Sequence, residues 1–202
     1  RARAERLELG AVVTTAHVEL GITLARAGRV AESERVLLSA AMGDSADVSS
    51  RAYSQLYVAQ MLLHKELPAE ALSAVESALA VVGASSFPGE YAFALAVRGQ
   101  ALLALSRPDE ALRCTRRGMQ ILAQLGHMFE GERLLRLIHA RALRADGHRG
   151  EAERAISDAR ALVHAQAETI AKPDWRRTFL GAVAENRLIL ELAETWPRAS
   201  AG

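Results

Sequence analysis

Residue types that carry out catalysis are sparse in this chain. The sequence has no glycine-rich phosphate loop and no serine nucleophile elbow. Histidines at i and i+4 would place two metal ligands on one helix face. No such pair occurs among the six histidines, which are His17, His64, His127, His139, His148 and His164. We therefore expect no enzymatic activity, no bound metal and no cofactor.

Cys114 is the single thiol, and arginines surround it in the sequence at positions 113, 116 and 117. Nearby cations lower the pKa of a thiol and make it more reactive. Two interpretations stay open, a redox-sensitive thiolate and a passive, partly packed cysteine. A lone cysteine cannot form an internal disulfide, which suits a reducing compartment.

A cluster of arginines is a second candidate for chemistry. Guanidinium groups bind carboxylates and phosphates through two parallel hydrogen bonds, so such a cluster could hold an acidic or phosphorylated segment. The alternative is a solvated helix face, in which the arginines pair with Glu110, Glu130 and Glu132. The members of the cluster are Arg113, Arg116, Arg117, Arg133 and Arg136.

Charge and hydropathy exclude several partner classes. The chain has 25 basic and 24 acidic residues, a net charge of +1, and no long run of one sign. This balance predicts no nucleic-acid partner and no membrane-surface partner. No apolar run approaches a membrane-spanning length, and the start has no secretory leader pattern. We expect a cytoplasmic protein and, because the first residue is Arg1, a piece of a longer one.

The elements that position these residues follow from a repeated small-acid-small step. The copies end at Ser33, Ala71, Ala111 and Ala152, which are 38, 40 and 41 residues apart. A period near 40 with two amphipathic helices per unit indicates a solenoid of stacked helical hairpins. The composition agrees, since 50% of residues are hydrophobic but only 4% are aromatic, and three prolines stand at expected helix starts, Pro68, Pro108 and Pro173.

Small residues recur at equivalent places in each unit. Two helices approach closely only where neither side chain intrudes, so these places predict the contact points within each hairpin. They are Gly21, Ala59, Gly99 and Ala140 in the first helices, and the four final residues of the step in the second helices.

We predict one domain over residues 1–202. Its repeats span about 8–43, 48–83, 88–125 and 129–166, and a pair of capping helices follows within 174–196. Trp175 and Phe179 are expected to cover the apolar face of the last repeat. Trp196 is expected at a partly exposed interface.

The pattern resembles the tetratricopeptide repeat family. In the first unit the resemblance rests on Leu20-Gly21, Leu24, Gly28, Ser33, Leu37 and Ala40, and in the fourth on Ala140, Leu143, Gly147, Ala152, Ile156 and Ala159. The third unit departs from it at Thr115 and Gly118. The period exceeds the family's usual length of about 34 residues, as in long-helix variants. The resemblance implies an all-α, right-handed solenoid of about four helical hairpins with a C-terminal capping pair.

The tail, residues 173–180 with 183–186, is similar to a segment that closes such arrays in multidomain bacterial signalling proteins. Those proteins include Ser/Thr kinases, nucleotide cyclases and ATP-dependent transcription activators. The resemblance therefore implies a regulatory parent protein.

In this family the first helices line a concave face that holds a partner, and the resemblance places a binding groove there. Gln60, Gln100 and Arg141 would form a polar ladder across it, and Tyr53 and Phe93 would be apolar anchors. The alternative is that these positions only pack or solvate the inner face. The full predicted set is Tyr53, Leu56, Gln60, His64, Phe93, Gln100, Leu137, Arg141 and Arg144.

The sequence thus predicts a non-catalytic protein-protein interaction scaffold that binds a peptide or a partner domain. One alternative is a sensor of a small molecule or peptide, which would need a closed superhelix with a deep apolar pocket. Another is self-association into a homodimer through exposed apolar ends of the array.

Overall fold

The computed structural model describes residues 12–13, 16–21, 23–24, 29–42, 48–84 and 86–199, and the regular structure within these ranges is helical. Within these ranges, helical residues at 12–13, 16–21 and 23–24 come before nine helices, numbered here in chain order. These are α1 (Val30–Met42), α2 (Val48–His64), α3 (Pro68–Val81), α4 (Pro88–Ala104), α5 (Pro108–Leu125), α6 (Glu132–Ala145), α7 (Arg149–Glu168), α8 (Pro173–Gly181) and α9 (Ala184–Ala199). The prediction of an all-α helical-hairpin array is confirmed.

One hydrogen bond closes the turn inside each hairpin. A leucine carbonyl near the end of the first helix accepts the N–H of the residue five positions later, at 2.8–2.9 Å. This bond is typical of the Schellman motif at the end of a helix. In that motif the residue just before the N–H donor has a positive φ. That position lies outside the described residues in the first turn (Gly28), and its φ is 59° at Glu66, 58° at Ser106 and 90° at Gly147. The bonded pairs are Leu24–Arg29, Leu62–Leu67, Leu102–Arg107 and Leu143–His148.

Prolines begin several helices, as the sequence predicts. Pro68, Pro108 and Pro173 are the first residues of α3, α5 and α8, and Pro88 begins α4 in the same way. A proline is tolerated there because its missing N–H has no partner within the first turn of a helix.

The predicted contact points within the hairpins are confirmed. A Cβ atom at Gly99 would lie 2.8 Å from Cγ2 of Thr115, and one at Gly21 would lie 2.6 Å from Cγ of Leu37. The Ser33 hydroxyl also donates a hydrogen bond of 2.7 Å to the Gly21 carbonyl. The remaining small residues are fully buried, namely Ala59, Ala71, Ala111, Ala140 and Ala152.

The departures at Thr115 and Gly118 are compensated by their neighbours. Thr115 is buried, and its side chain occupies the space that a side chain at Gly99 would fill. A Cβ atom at Gly118 would lie 2.7 Å from Cδ1 of Leu135, so the glycine leaves room for that leucine. At both contacts, α4 with α5 and α5 with α6, a glycine on one helix faces a larger side chain on the other. The helices of the third unit therefore stay closely packed.

The first helices pack side by side, and α4 lies at the centre of the array. It contacts α2, α3, α5 and α6. At the C-terminal end, α9 packs against both α6 and α7, which is the place of a further first helix. The short helix α8 contacts α7 and α9 and has no buried residue.

Two of the three aromatic predictions at this end are wrong. Trp175 is 63% exposed on α8, where Lys172 Nζ lies 4.2 Å from its ring centre, so it does not cover the apolar face of the last repeat as predicted. Trp196 is buried because α9 turns it towards α6, and the Arg144 guanidinium lies 4.8 Å from its ring centre. Phe179 is half-buried against the core, and Arg133 lies over its ring.

Residues 126–131 form a tightly held loop between α5 and α6. Gly126 and Gly131 both have φ of 78°, a value that side chains disfavour. Met128 is buried, and its N–H donates a hydrogen bond of 3.1 Å to Oε2 of Glu132. The other oxygen of Glu132 accepts a hydrogen bond of 2.9 Å from Nε of Arg136, which fixes the carboxylate.

The two loop glycines give a matched test of this packing. In Gly131→Ala the new Cβ would meet Cδ2 of Phe93 at 2.3 Å, whereas Gly126 has no neighbouring atom within 4 Å. Urea denaturation should therefore show a loss of about 2–4 kcal/mol in unfolding free energy for Gly131→Ala, combining backbone strain and overpacking. Gly126→Ala should lose only about 1–2 kcal/mol, from backbone strain alone. Equal losses would contradict the close approach of Gly131 to Phe93.

His139 is packed between α6 and α5. Its Nδ1 lies 3.1 Å from the Thr115 hydroxyl. Burial lowers the pKa of His139 to about 4, and the Arg116 charge contributes in the same direction against the opposing effect of Glu151. The imidazole is therefore neutral at physiological pH.

Stability should depend on pH through this residue. Between pH 6.5 and about 4 the unfolded chain binds a proton at His139 that the native state does not, so unfolding free energy should fall by up to about 3 kcal/mol as the pH is lowered. Denaturation across this range should show a shallower slope for His139→Gln, which keeps a hydrogen-bonding group but has no charge to gain. His164→Gln changes an exposed histidine and serves as the control. Equal slopes in the wild type and His139→Gln would refute this assignment.

Candidate functional site

The candidate site is the face formed by the first helices α2, α4 and α6. These helices pack next to one another, so residues at equivalent steps form rows across the face. Tyr53 and Phe93 belong to one row, and Gln60, Gln100 and Arg141 belong to another about two turns further along each helix.

Three predicted partner contacts lie in the core instead. Leu56, Phe93 and Leu137 are 0%, 1% and 3% exposed, so their side chains have no surface to offer a partner. The expectation that Phe93 anchors a ligand is therefore wrong. The reason is the central position of α4, which four helices surround, so that every residue from Ala92 to Val97 is buried.

Phe93 instead completes an aromatic cluster within the chain. Its ring centre lies 6.0 Å from that of Tyr53 and 5.8 Å from that of Tyr57. Burial raises the pKa of Tyr53 to about 12, and the carboxylates of Glu90 and Glu130 add to the shift. The half-buried Tyr53 is therefore a neutral phenol at the border of this cluster.

The polar row has the properties of an unused hydrogen-bonding surface. Gln60 and Gln100 are half-buried and Arg141 is exposed. The Oε1 atom of Gln100 is buried and accepts no hydrogen bond, which is costly for a polar atom without water. No hydrogen bond in the described part of the chain joins these three side chains to one another.

Arg141 is the charged member of this row. Desolvation by the surrounding helices lowers its pKa, although its side chain remains exposed. The guanidinium stays charged and offers its donors to an approaching acceptor.

Of the last two residues predicted to contact a partner, one is open to solvent and the other is bound within the chain. His64 is exposed at the end of α2. Arg144 is held within the chain, because its guanidinium lies over the Trp196 ring and 3.9 Å from Oε1 of Glu153. The packing of α9 against α6 creates the contact with Trp196, and the turn from α6 to α7 brings Glu153 near Arg144; periodicity in the first helices reveals neither.

The arginine cluster is largely paired inside the chain. On α5, Arg113 pairs with Asp109 at 3.0 Å, and Arg117 donates to Gln120. On α6, Arg133 donates to Gln166 and Arg136 pairs with Glu132 at 2.8 Å. These contacts fit the solvated-face alternative better than a single anion site.

Of the two interpretations of Cys114, the structure favours the passive, packed cysteine. The thiol is 7% exposed, and its burial raises the pKa. The cation that contacts it is Arg98, whose Nη1 lies 3.4 Å from Sγ, and this arginine is already paired with Glu76 at 2.8 Å. Arg113 and Arg116 are one and two positions from Cys114 and so face other directions on the helix, while Arg117 donates a hydrogen bond to Gln120.

Other kinds of site receive no support from the described residues. They contain no group of three or more histidine, cysteine, aspartate or glutamate side chains that could hold a metal ion. Likewise, among the helices described, none combines the length and the apolar character needed to cross a membrane. Sequence reasoning also passed over Phe129, which is 98% exposed in the 126–131 loop. A sequence signal for its exposure does exist, because Phe129 lies between Gly126 and Gly131 and belongs to no apolar helical stripe.

Comparisons with known proteins bear on the fold. No family model matches the sequence, and no curated protein matches it. Solved structures do match, and two of them come from a Podosopora anserina protein described as a putative kinesin light chain with nearly identical TPR-like repeats, one of the two being a variant with a single substitution. Each has a TM-score of 0.57 and 19% sequence identity, and the alignments cover 92% and 93% of this chain and 95% of the other.

Identity at this level concerns the fold alone. Helical-repeat folds of this kind generally serve as scaffolds for protein interactions, because stacking creates an extended binding surface. The chain has the tetratricopeptide-like repeat fold.

Proposed function

We propose that this chain is a non-catalytic interaction module that binds an extended peptide segment of a protein across its first helices. The observation that carries the proposal is the buried, unpartnered Oε1 atom of Gln100, which stands in a row between Gln60 and Arg141. Because the Gln100 residue is only half-buried, a rotation of its side-chain amide would bring Oε1 to the surface, where a peptide N–H would supply the missing hydrogen bond. The module belongs to a larger, cytoplasmic regulatory protein of bacterial signalling type, an assignment supported by the similarity of the tail segment.

The spacing of the row suits an extended chain. Adjacent packed helices lie about 9 Å apart, and an extended peptide advances about 3.3 Å per residue. Each step from one first helix to the next therefore corresponds to about three peptide residues. Gln60 and Gln100 would bind main-chain groups, and Arg141 would pair with a carboxylate about three residues further on.

Recognition of this kind depends on polar contacts more than on apolar anchors. The buried Leu56, Phe93 and Leu137 hold the helices in place and do not contact the peptide. Tyr53 and His64 lie at opposite ends of the α2 surface and limit the peptide's path. A partner with a regularly spaced acceptor pattern and one acidic residue fits this surface.

Peptides selected from a random display library against the wild type provide the test. In Gln100→Ala/Arg141→Ala the dissociation constant should rise about 30- to 2,000-fold, because a lost hydrogen bond is worth about 0.5–1.5 kcal/mol and one to a charged group about 1.5–3 kcal/mol. Fluorescence polarisation measures this change. Thermal stability should be unaffected, since Gln100 Oε1 has no partner within the chain to lose.

Arg113→Ala/Arg117→Ala is the matched control, since it removes two exposed arginines from α5, a second helix. Selected peptides should bind this variant as tightly as the wild type. Peptides that lose affinity for the α5 variant and keep it for the first-helix variant would place binding on the other side of the array and refute the proposal.

A further inference from the structure

Phe129 is a rigidly presented aromatic side chain on the surface. It is the most exposed large hydrophobic residue in the described part of the chain, at 98%. Its neighbours in the loop are fixed, because Met128 is buried and hydrogen-bonded to Glu132 and Gly131 packs against Phe93. A side chain held outward by a fixed backbone loses little conformational freedom when it binds.

A cleft that can receive such a ring lies at the opposite end of the same chain. It is formed between residues 17–24 and α1 and has a volume of about 380 Å³. A cavity of roughly 150 Å³ is enough for benzene, so one phenyl ring fits with room for its backbone. The cleft is lined by Leu20, Leu24 and Val36, together with His17, Arg29, Glu32, Arg35 and Ser39.

This end of the array has apolar surface to cover. Leu20 in the cleft is 48% exposed, and Val13, two turns earlier on the same stripe, is also 48% exposed. A helical hairpin has two apolar faces and is stabilised when both are covered. In the described part of the chain α1 contacts α2, and no residue of α2 lines the cleft.

The charges beside the ring and beside the cleft are complementary. Glu130 follows Phe129, and it forms no ion pair with any described residue. Arg35 at the cleft is exposed and likewise forms no ion pair with a described residue, although its charge adds to the larger effect of Arg29 in lowering the pKa of Glu32. Arg29, by contrast, is already bound to Glu32 through hydrogen bonds of 2.7 and 2.6 Å.

The ring cannot reach the cleft of its own chain. Phe129 lies between α5 and α6, and neither helix contacts α1, because α2, α3 and α4 lie between them in the stack. We propose that Phe129 of one copy inserts into the cleft of a second copy, with Glu130 pairing with Arg35 of that copy. The interface is heterologous, so each copy has one ring and one cleft to offer, and association continues from copy to copy. This inference does not depend on the proposed peptide-binding surface.

Two single variants and their mixture test the proposal by sedimentation velocity. The wild type should show an average mass that rises with concentration over about 5–500 µM. Weak association is expected because the proposed contact consists of one aromatic ring and one ion pair. Phe129→Ser lacks the ring and Leu20→Glu lacks the apolar cleft wall, and each should remain monomeric. Both positions are exposed, so the variants should keep the helical circular dichroism of the wild type.

The equimolar mixture gives the decisive result. Phe129→Ser retains an intact cleft and Leu20→Glu an intact ring, so the two should form a one-to-one dimer that cannot grow further. A mixture that stays monomeric overturns the proposal, as does a wild type that is monomeric throughout or a Phe129→Ser variant that still associates.

A matched aromatic control uses the other strongly exposed ring. Trp175→Ser removes a side chain that is 63% exposed on α8, and it should leave self-association unchanged. Loss of association in Trp175→Ser but not in Phe129→Ser would place the contact at the C-terminal end and overturn the assignment to Phe129. The charge exchange Glu130→Arg should weaken association, and mixing it with Arg35→Glu should restore it.

Discussion

The close approach of two helices at a small residue is the constraint on which the rest of this structure depends. At Gly99 the space that a side chain would fill is taken by Thr115 and Ile138, so three successive helices meet at one point. The repeated hydrogen bond from a leucine carbonyl to the N–H five residues later fixes the turn that brings the helices together. With turn and contact both fixed, each hairpin has one shape, and stacking similar shapes determines where every first helix lies.

Much of the fold could be predicted because these constraints are local. A proline at a helix start and a small residue at a contact point both act through their immediate neighbours, and Pro68, Pro108, Ala71 and Ala111 lie where the sequence places them. Contacts between non-adjacent helices were not predictable in the same way. Trp175 and Trp196 have exchanged roles, since the docking of α9 on α6 and α7 decides which ring is covered.

In the candidate site, too, local features could be predicted from the sequence and contacts between distant helices could not. Periodicity correctly assigns Gln60, Gln100 and Arg141 to equivalent steps of neighbouring helices, because the repeat length determines those steps. It cannot show that α4 is enclosed by four helices, and so it counts Phe93 as a surface residue. For Cys114, the arginine that matters is Arg98 on the neighbouring helix and not those adjacent in sequence.

The docking of α9 gives the short helix α8 a role of its own. The helix α9 packs against α6 and α7 as a further first helix would, so the row of first helices runs from α2 through α4 and α6 to α9. Between α7 and α9 the chain passes through α8, which contacts both helices and has no buried residue. The helix α8 therefore serves as a surface connector, and the contact of Arg144 with Trp196 is among those that join α9 to the array.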